Sequence, residues 1–153
     1  MSTRHNHMSI AEQRIGYRLK IAQHLLRQRL DAELASVEIT APQFAILLSI
    51  ANNPGVSNAS LARTAFVTPQ SMQGLLANLE RAGLIRRTPH PEHGRIIQSE
   101  LTDKGIDTVA AATLAADAVE QLMLAHLNET ESQQLADLLS KCATALGWTS
   151  SAN

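Results

Sequence analysis

Between residues 57 and 82 the chain carries two helix-start signals in quick succession. Ser57 precedes a short helical stretch whose inner face is Leu61, Ala62 and Ala65, and only two residues later Thr68-Pro69 opens another. Ser and Thr cap the free amides of a first turn, and proline at the first helical position loses no hydrogen bond. Two helices joined so tightly cannot bury their apolar stripes on each other alone. The second carries Met72, Leu75, Leu76 and Leu79 inward and stops at Gly83, whose left-handed freedom suits a helix end. This pair fixes the frame into which the rest of the chain must fit.

The surrounding segments are helical by period. Apolar residues Ile15, Leu19, Ala22, Leu25, Leu26, Leu30 and Leu34 recur at steps of three and four, predicting one long helix over 11–34. Thr40 and Pro42 start a second, with Phe44, Leu47, Leu48 and Ala51 expected inward, and the turn at 52–55 ends it. After Gly83, two β-prone runs, 84–88 and 95–101, flank a Pro/His/Gly loop and read as a hairpin. Thr102 is expected to cap a helix from 103 to 125. Asn128 and Glu131 have capping-box spacing ahead of a last helix with Leu135, Leu138, Leu139, Cys142 and Leu146 on its apolar side. The first eight residues and the tail after Trp148 read as frayed. The predicted class is mainly α with a small β-hairpin, in the order α-α-α-α-β-β-α-α.

Composition narrows the function. At 153 residues the chain is sized for one domain, and 3% aromatic content suits Leu/Ala-rich helix packing. No apolar run approaches the roughly 18 residues of a membrane span, and the polar first residues do not form a signal peptide, so a cytoplasmic location without membrane contact is expected. Residues 1–100 hold 11 Lys/Arg against 7 Asp/Glu, a net +4, whereas 101–153 hold 2 against 7, a net −5. Basic and acidic parts suggest separate tasks along the chain.

The second helix of the pair leaves Thr68, Pro69, Gln70, Ser71, Gln73, Gly74 and Asn78 outside. These short amide and hydroxyl groups can bond base edges and phosphates without holding a helix out of the major groove. An ordinary solvated face is the alternative, though such a face more often carries Glu and Lys. From 81 to 95 there are four arginines (Arg81, Arg86, Arg87, Arg95) against Glu92, a net +3, and His90 and His93 add charge when protonated. A basic hairpin beside such a helix can reach the flanking backbone or minor groove. Together they read as a winged helix-turn-helix for double-stranded DNA, with Ser57 and Asn58 at the start of the supporting helix as further contacts.

At these residues the chain resembles the multiple antibiotic resistance regulator (MarR) family, from about 15 to 146. The block Leu79-Glu-Arg-Ala-Gly-Leu-Ile-Arg-Arg87, then Gly94-Arg95, then Leu101-Thr-Asp-Lys-Gly105 looks like the family's recognition-helix exit, wing and next helix start. Thr68-Pro-Gln-Ser71 looks like its recognition-helix start. The resemblance implies a transcriptional regulator, more in keeping with a repressor, that binds a pseudo-palindrome as a homodimer. Within one 153-residue domain, 42–101 would form the DNA-binding lobe, and 9–36 with 102–147 the helical dimerisation region. Arg95 would be the wing-tip contact, with His93 and Gly94 beside it. Release by a small aromatic or anionic effector is implied as well, with Arg14, Tyr17, Arg18 and Phe44 able to supply an aromatic wall and a cation. The sequence departs from the family at Gly74 and Asn78, where Arg or Lys is common, and at His90 and His93, where Asp is usual.

Other readings have weaker support. A single cysteine, Cys142, excludes an internal disulfide and is expected to be a buried, inert thiol rather than a redox sensor. His90-Pro-Glu-His93 has ligand-type residues in a loop poorly suited to preorganised metal binding, and no cofactor is expected. No nucleophile elbow, phosphate loop or His-Glu-x-x-His sequence marks an enzyme. A winged helix used only for protein contacts would favour an acidic or apolar wing.

Overall fold

The computed structural model describes residues 14–65, 67–92, 94 and 96–149. The first eight residues and all but Thr149 of the tail expected to fray, with the predicted helical residues 11–13, lie outside that set. Element order is α1 (Ile15–Leu34), a 3₁₀ turn (Ala35–Val37), α2 (Ala41–Asn52), β1 (Val56–Ser57), α3 (Asn58–Thr64), α4 (Pro69–Arg81), β2 (Ile85–Pro89), β3 (Ile97–Leu101), α5 (Asp103–Leu124) and α6 (Glu129–Ala145). The chain divides into two units, Met1–Val119 and Glu120–Asn153.

Local chemistry sets the helix starts. Thr40 and Gln43 form a capping box at α2, Ser57 accepts from the Ser60 amide at α3, and Thr68 accepts from the Ser71 amide at α4. Asp31 of α1 reinforces α2: its carboxylate accepts from the Ala41 amide at 2.8 Å and from Arg27 at 3.0 Å. These contacts, the Ala41 hydrogen bond foremost, hold the Asp31 carboxyl below its usual range against a smaller desolvation that pushes it up.

The first unit has one core. Leu34, Ile46, Leu47, Ile50, Leu61, Met72, Leu76 and Leu79 are fully buried, and the α5 residue Ala112 joins them. On α2 the buried stripe is Ala41, Phe44, Ile46, Leu47 and Ile50. Leu48 and Ala51, expected inside, are exposed. The stripe is centred one position further round the helix than the first apolar residues suggest, and Ile46 and Ile50 fill it.

The sheet has three antiparallel strands in the order β1-β3-β2. The hairpin is as predicted, but β1 is an addition: Val56 and Ser57 pair with Ser99 and Gln98. Two residues are too few for a period-2 signal, so nothing short of the fold announces this strand.

One joint holds the helix pair to the hairpin and to α5. Gly83 adopts φ +73° and ends α4. The Thr102 hydroxyl donates to Gly83 O at 2.6 Å and accepts from the Gly105 amide at 3.1 Å, while the Thr102 amide donates to Leu84 O at 3.1 Å. Lys104 Nζ donates to Ala82 O at 2.9 Å. Gly105 is buried so tightly that an added Cβ would sit 2.0 Å from Leu84 O. The Leu-Glu-x-x-Gly-Leu-Ile and Leu-Thr-x-x-Gly sequences are therefore two halves of one backbone contact.

In the second unit, Asn128 and Glu131 form the expected capping box at α6. None of the α6 residues is buried, and Leu138, Leu139, Leu146 and Trp148 are exposed. Cys142 is exposed too, correcting the expectation of a buried thiol: the apolar stripe it belongs to is uncovered in a single chain. No single helix among the described residues is long and apolar enough to cross a membrane.

Candidate nucleic-acid interface

The α4 helix is sharply two-sided. Met72, Leu76 and Leu79 are completely buried, whereas Thr68, Pro69, Gln70, Ser71, Gln73, Gly74 and Asn78 are all exposed. Thr68 Oγ1 accepts from the Ser71 amide at 3.1 Å and donates to Ser71 Oγ at 2.9 Å. That bond fixes the first-turn hydroxyls while leaving the Ser71 hydroxyl proton able to donate outward. A Cβ built on Gly74 would meet nothing within 4 Å, so the middle of this face is smooth. Ser57 and Asn58 are only half-exposed. Ser57 is occupied as the α3 cap, and Asn58 Oδ1 is buried with no partner among the described residues.

The arginines are less free than their count suggests. Arg86 reaches across to Glu100, its register partner on β3, at 3.1 Å. Arg87, with a side chain only 16% exposed, donates to Gln73 Oε1 at 3.0 Å and lies 4.0 Å from Glu80. Arg81 donates to Asn78 Oδ1 at 3.0 Å. Counting Glu80 and Glu100 with Glu92, the span 80–100 holds four arginines and three glutamates, a net +1 rather than the +3 of residues 81–95. The fold brings both glutamates back onto the arginines, pairings invisible in a window that runs only from 81 to 95.

Comparisons with known proteins bear on this surface. A family model described as the MarR family matches residues 38–96. HTH-type transcriptional repressor Rv2887 of Mycobacterium tuberculosis (strain ATCC 25618 / H37Rv) is 33% identical over 127 residues, which are 83% of this chain and 91% of its own. A structure of that MarR family protein with salicylic acid is 32% identical, with TM-score 0.69, covering 84% of this chain and 96% of its own. The chain belongs to the MarR family. Another solved structure, the transcriptional repressor CouR bound to a 23-mer DNA duplex, is 30% identical with TM-score 0.81, covering 86% of this chain and 93% of its own.

In this MarR-family chain the hairpin loop is closed by His90 N–H donating to Ile96 O at 2.7 Å, and His90 Nδ1 accepts from the Glu92 amide at 3.1 Å. Gly94 is exposed, while His93 and Arg95 lie outside the described residues. Of the four residues suggested for an effector, Phe44 is a core side chain at 7% exposure, because it faces inward on α2. Arg14 caps α1 with its backbone, and Tyr17 and Arg18 are exposed in the first turn of α1. An open, mainly apolar cleft of about 440 Å³ lies elsewhere, among Ile50, Ala51, Pro54, Glu100, Leu101, Ile106 and Val109.

The helix face was legible in the sequence. Missed were Glu80, Glu100 and Thr102 as organisers of the arginines and of the α4 exit. The Thr102 role has a sequence trace in Leu101-Thr-Asp-Lys-Gly105.

Proposed function

We propose that the protein is a sequence-specific double-stranded DNA-binding transcriptional regulator of the cytoplasm, a repressor acting as a homodimer on a pseudo-palindromic operator. The observation that carries this reading is the α4 helix: a fully buried apolar side locks it in place, and a continuous uncharged polar face is left open beside the hairpin. Such a face can enter a major groove and read base edges, and the hairpin beyond it is placed by sequence to bring Arg95 to the flanking backbone. The kinship with Rv2887 and CouR, both named as repressors, supports the direction of regulation. No enzymatic step is needed for this task.

Dimerisation is supported by what each unit leaves uncovered. On α1, Ile15 is 80% exposed; on α5, Leu114 is 73% exposed; and on α6, Leu138 is 58% exposed. Apolar helix faces of this kind are the usual material of a permanent interface between like chains. A small aromatic acid as releasing ligand is supported by the salicylic acid complex of Rv2887.

The test is fluorescence anisotropy on duplex DNA across a salt series. Wild-type protein is expected to bind with a steep negative dependence of affinity on salt, and Arg95→Ala to make the slope shallower by about 1 per subunit. An unchanged slope removes the hairpin tip from the interface. Salicylate is expected to raise the melting temperature and weaken the complex; neither effect at millimolar ligand removes the effector.

A further inference from the structure

We infer that Arg87 locks the Gln73 amide so that Gln73 reads DNA as a hydrogen-bond donor only, selecting guanine over adenine at one base pair of each half-site. The inference rests on the DNA-binding reading above and specifies it. Arg87 Nη2 lies 3.0 Å from Gln73 Oε1. A guanidinium has donors and no acceptor, so the amide must turn its oxygen toward Arg87 and its NH₂ away. The arrangement is held from both sides. Arg87 projects from β2, its side chain is only 16% exposed, and its other terminal nitrogen lies 4.0 Å from Glu80 Oε2. Releasing Oε1 would leave a second N–H of this largely buried guanidinium without a partner, since Nε already has none among the described residues.

The consequence is chemical. Glutamine recognises adenine by accepting from N6–H and donating to N7, which uses both ends of the amide. Arg87 holds one lone pair of Oε1 and turns the oxygen end of the amide toward β2, so the end of Gln73 turned away from β2 is its NH₂, and guanine presents two acceptors, N7 and O6, at the same edge. Gln70, exposed on the same face, has no hydrogen-bond partner among the described residues and keeps both functions. Asn78 also gives its oxygen to an arginine, Arg81 at 3.0 Å, but Arg81 is itself exposed, so water can satisfy its guanidinium in place of Asn78, as it cannot for the largely buried Arg87. The constraint is specific to Gln73.

The experiment measures affinity for an operator in which each half-site position carries all four bases, using wild type, Gln73→Ala and Arg87→Met. Wild type should prefer guanine to adenine by about tenfold at one position, and Gln73→Ala should flatten that position alone. Arg87→Met frees Oε1 and should raise adenine to parity with guanine or above it there. A uniform loss over all bases on Gln73→Ala, or an adenine preference in the wild type at that position, overturns the inference and leaves DNA binding intact. If Arg87→Met loses cooperative unfolding, Gln73→Lys decides: a donor-only side chain should retain the guanine preference, and its loss overturns the inference. A wild type indifferent to duplex sequence at every position overturns both readings.

Discussion

Replacing Gly105 with alanine tests the joint that aims the recognition helix. An added Cβ would lie 2.0 Å from Leu84 O and 3.0 Å from Leu84 C, both backbone atoms. Ordinary contact needs more than 3 Å, so α5 and the Leu84 backbone ahead of β2 must separate by over 1 Å. Leu84 O is also the acceptor for the Thr102 amide at 3.1 Å, and the Thr102 hydroxyl bridges Gly83 O and the Gly105 amide, so separation strains all three bonds. Overpacking of this kind costs about 1–3 kcal/mol, and a buried hydrogen bond left unmade about 1–3 more. Alanine's helix propensity returns about 1 kcal/mol. The net expectation is a destabilisation of about 1–5 kcal/mol, which in a chain this size lowers Tm by roughly 2–20 °C at fixed protein concentration. Gly16→Ala is the control: nothing lies within 4 Å of a Cβ there, so only the propensity acts, and in the first turn of α1 stability should rise by no more than about 1 kcal/mol. Calorimetry or urea unfolding of both variants decides. If Gly105→Ala melts at or above wild type, the close approach is not what holds this joint.

Four further outcomes follow from the same contacts. Thr102→Val removes the hydroxyl bridging Gly83 O and the Gly105 amide and should destabilise by about 1–2 kcal/mol in urea unfolding, with no change if that bridge is immaterial. Asp31 has a lowered folded-state pKa, so its charge stabilises the fold above the unfolded value near 3.9, and that stability is lost as pH falls through the folded pKa. Asp31→Asn should therefore be less stable than wild type at neutral pH, by about 1 kcal/mol, chiefly through the weakened bond to the Ala41 amide since the exposed Arg27 pair adds little, and the difference should close in acid; a gap independent of pH contradicts it. Leu138→Glu should shift sedimentation toward the monomer while leaving the first unit folded, and an unchanged dimer would take this residue out of the interface. Gln70→Ala should relax sequence preference rather than lower affinity uniformly, the opposite result making Gln70 a positioning contact.

What the sequence could show was set by the range of the interactions involved. Caps and helix periods are local, and Thr40, Ser57, Thr68 and Asn128 all cap where their spacing says. The inward and outward sides of α4 follow from the same period. Long-range pairings left weaker traces: β1 has two residues, and Arg86–Glu100 and Arg87–Gln73 each join positions 14 apart, the first brought together by the hairpin and the second by the return of β2 along α4. The charge count consequently overstated the basicity of the hairpin. For Cys142 the local pattern was read correctly and the environment was not. An apolar helix position is buried only where something covers it, and in the single chain nothing does.

The most direct measurement is a selection from random duplexes with the purified, ligand-free protein at low ionic strength. An inverted repeat is expected, with half-sites about one helical turn, roughly 34 Å, apart. Enrichment of no sequence, with no measurable retention of any duplex, would contradict it.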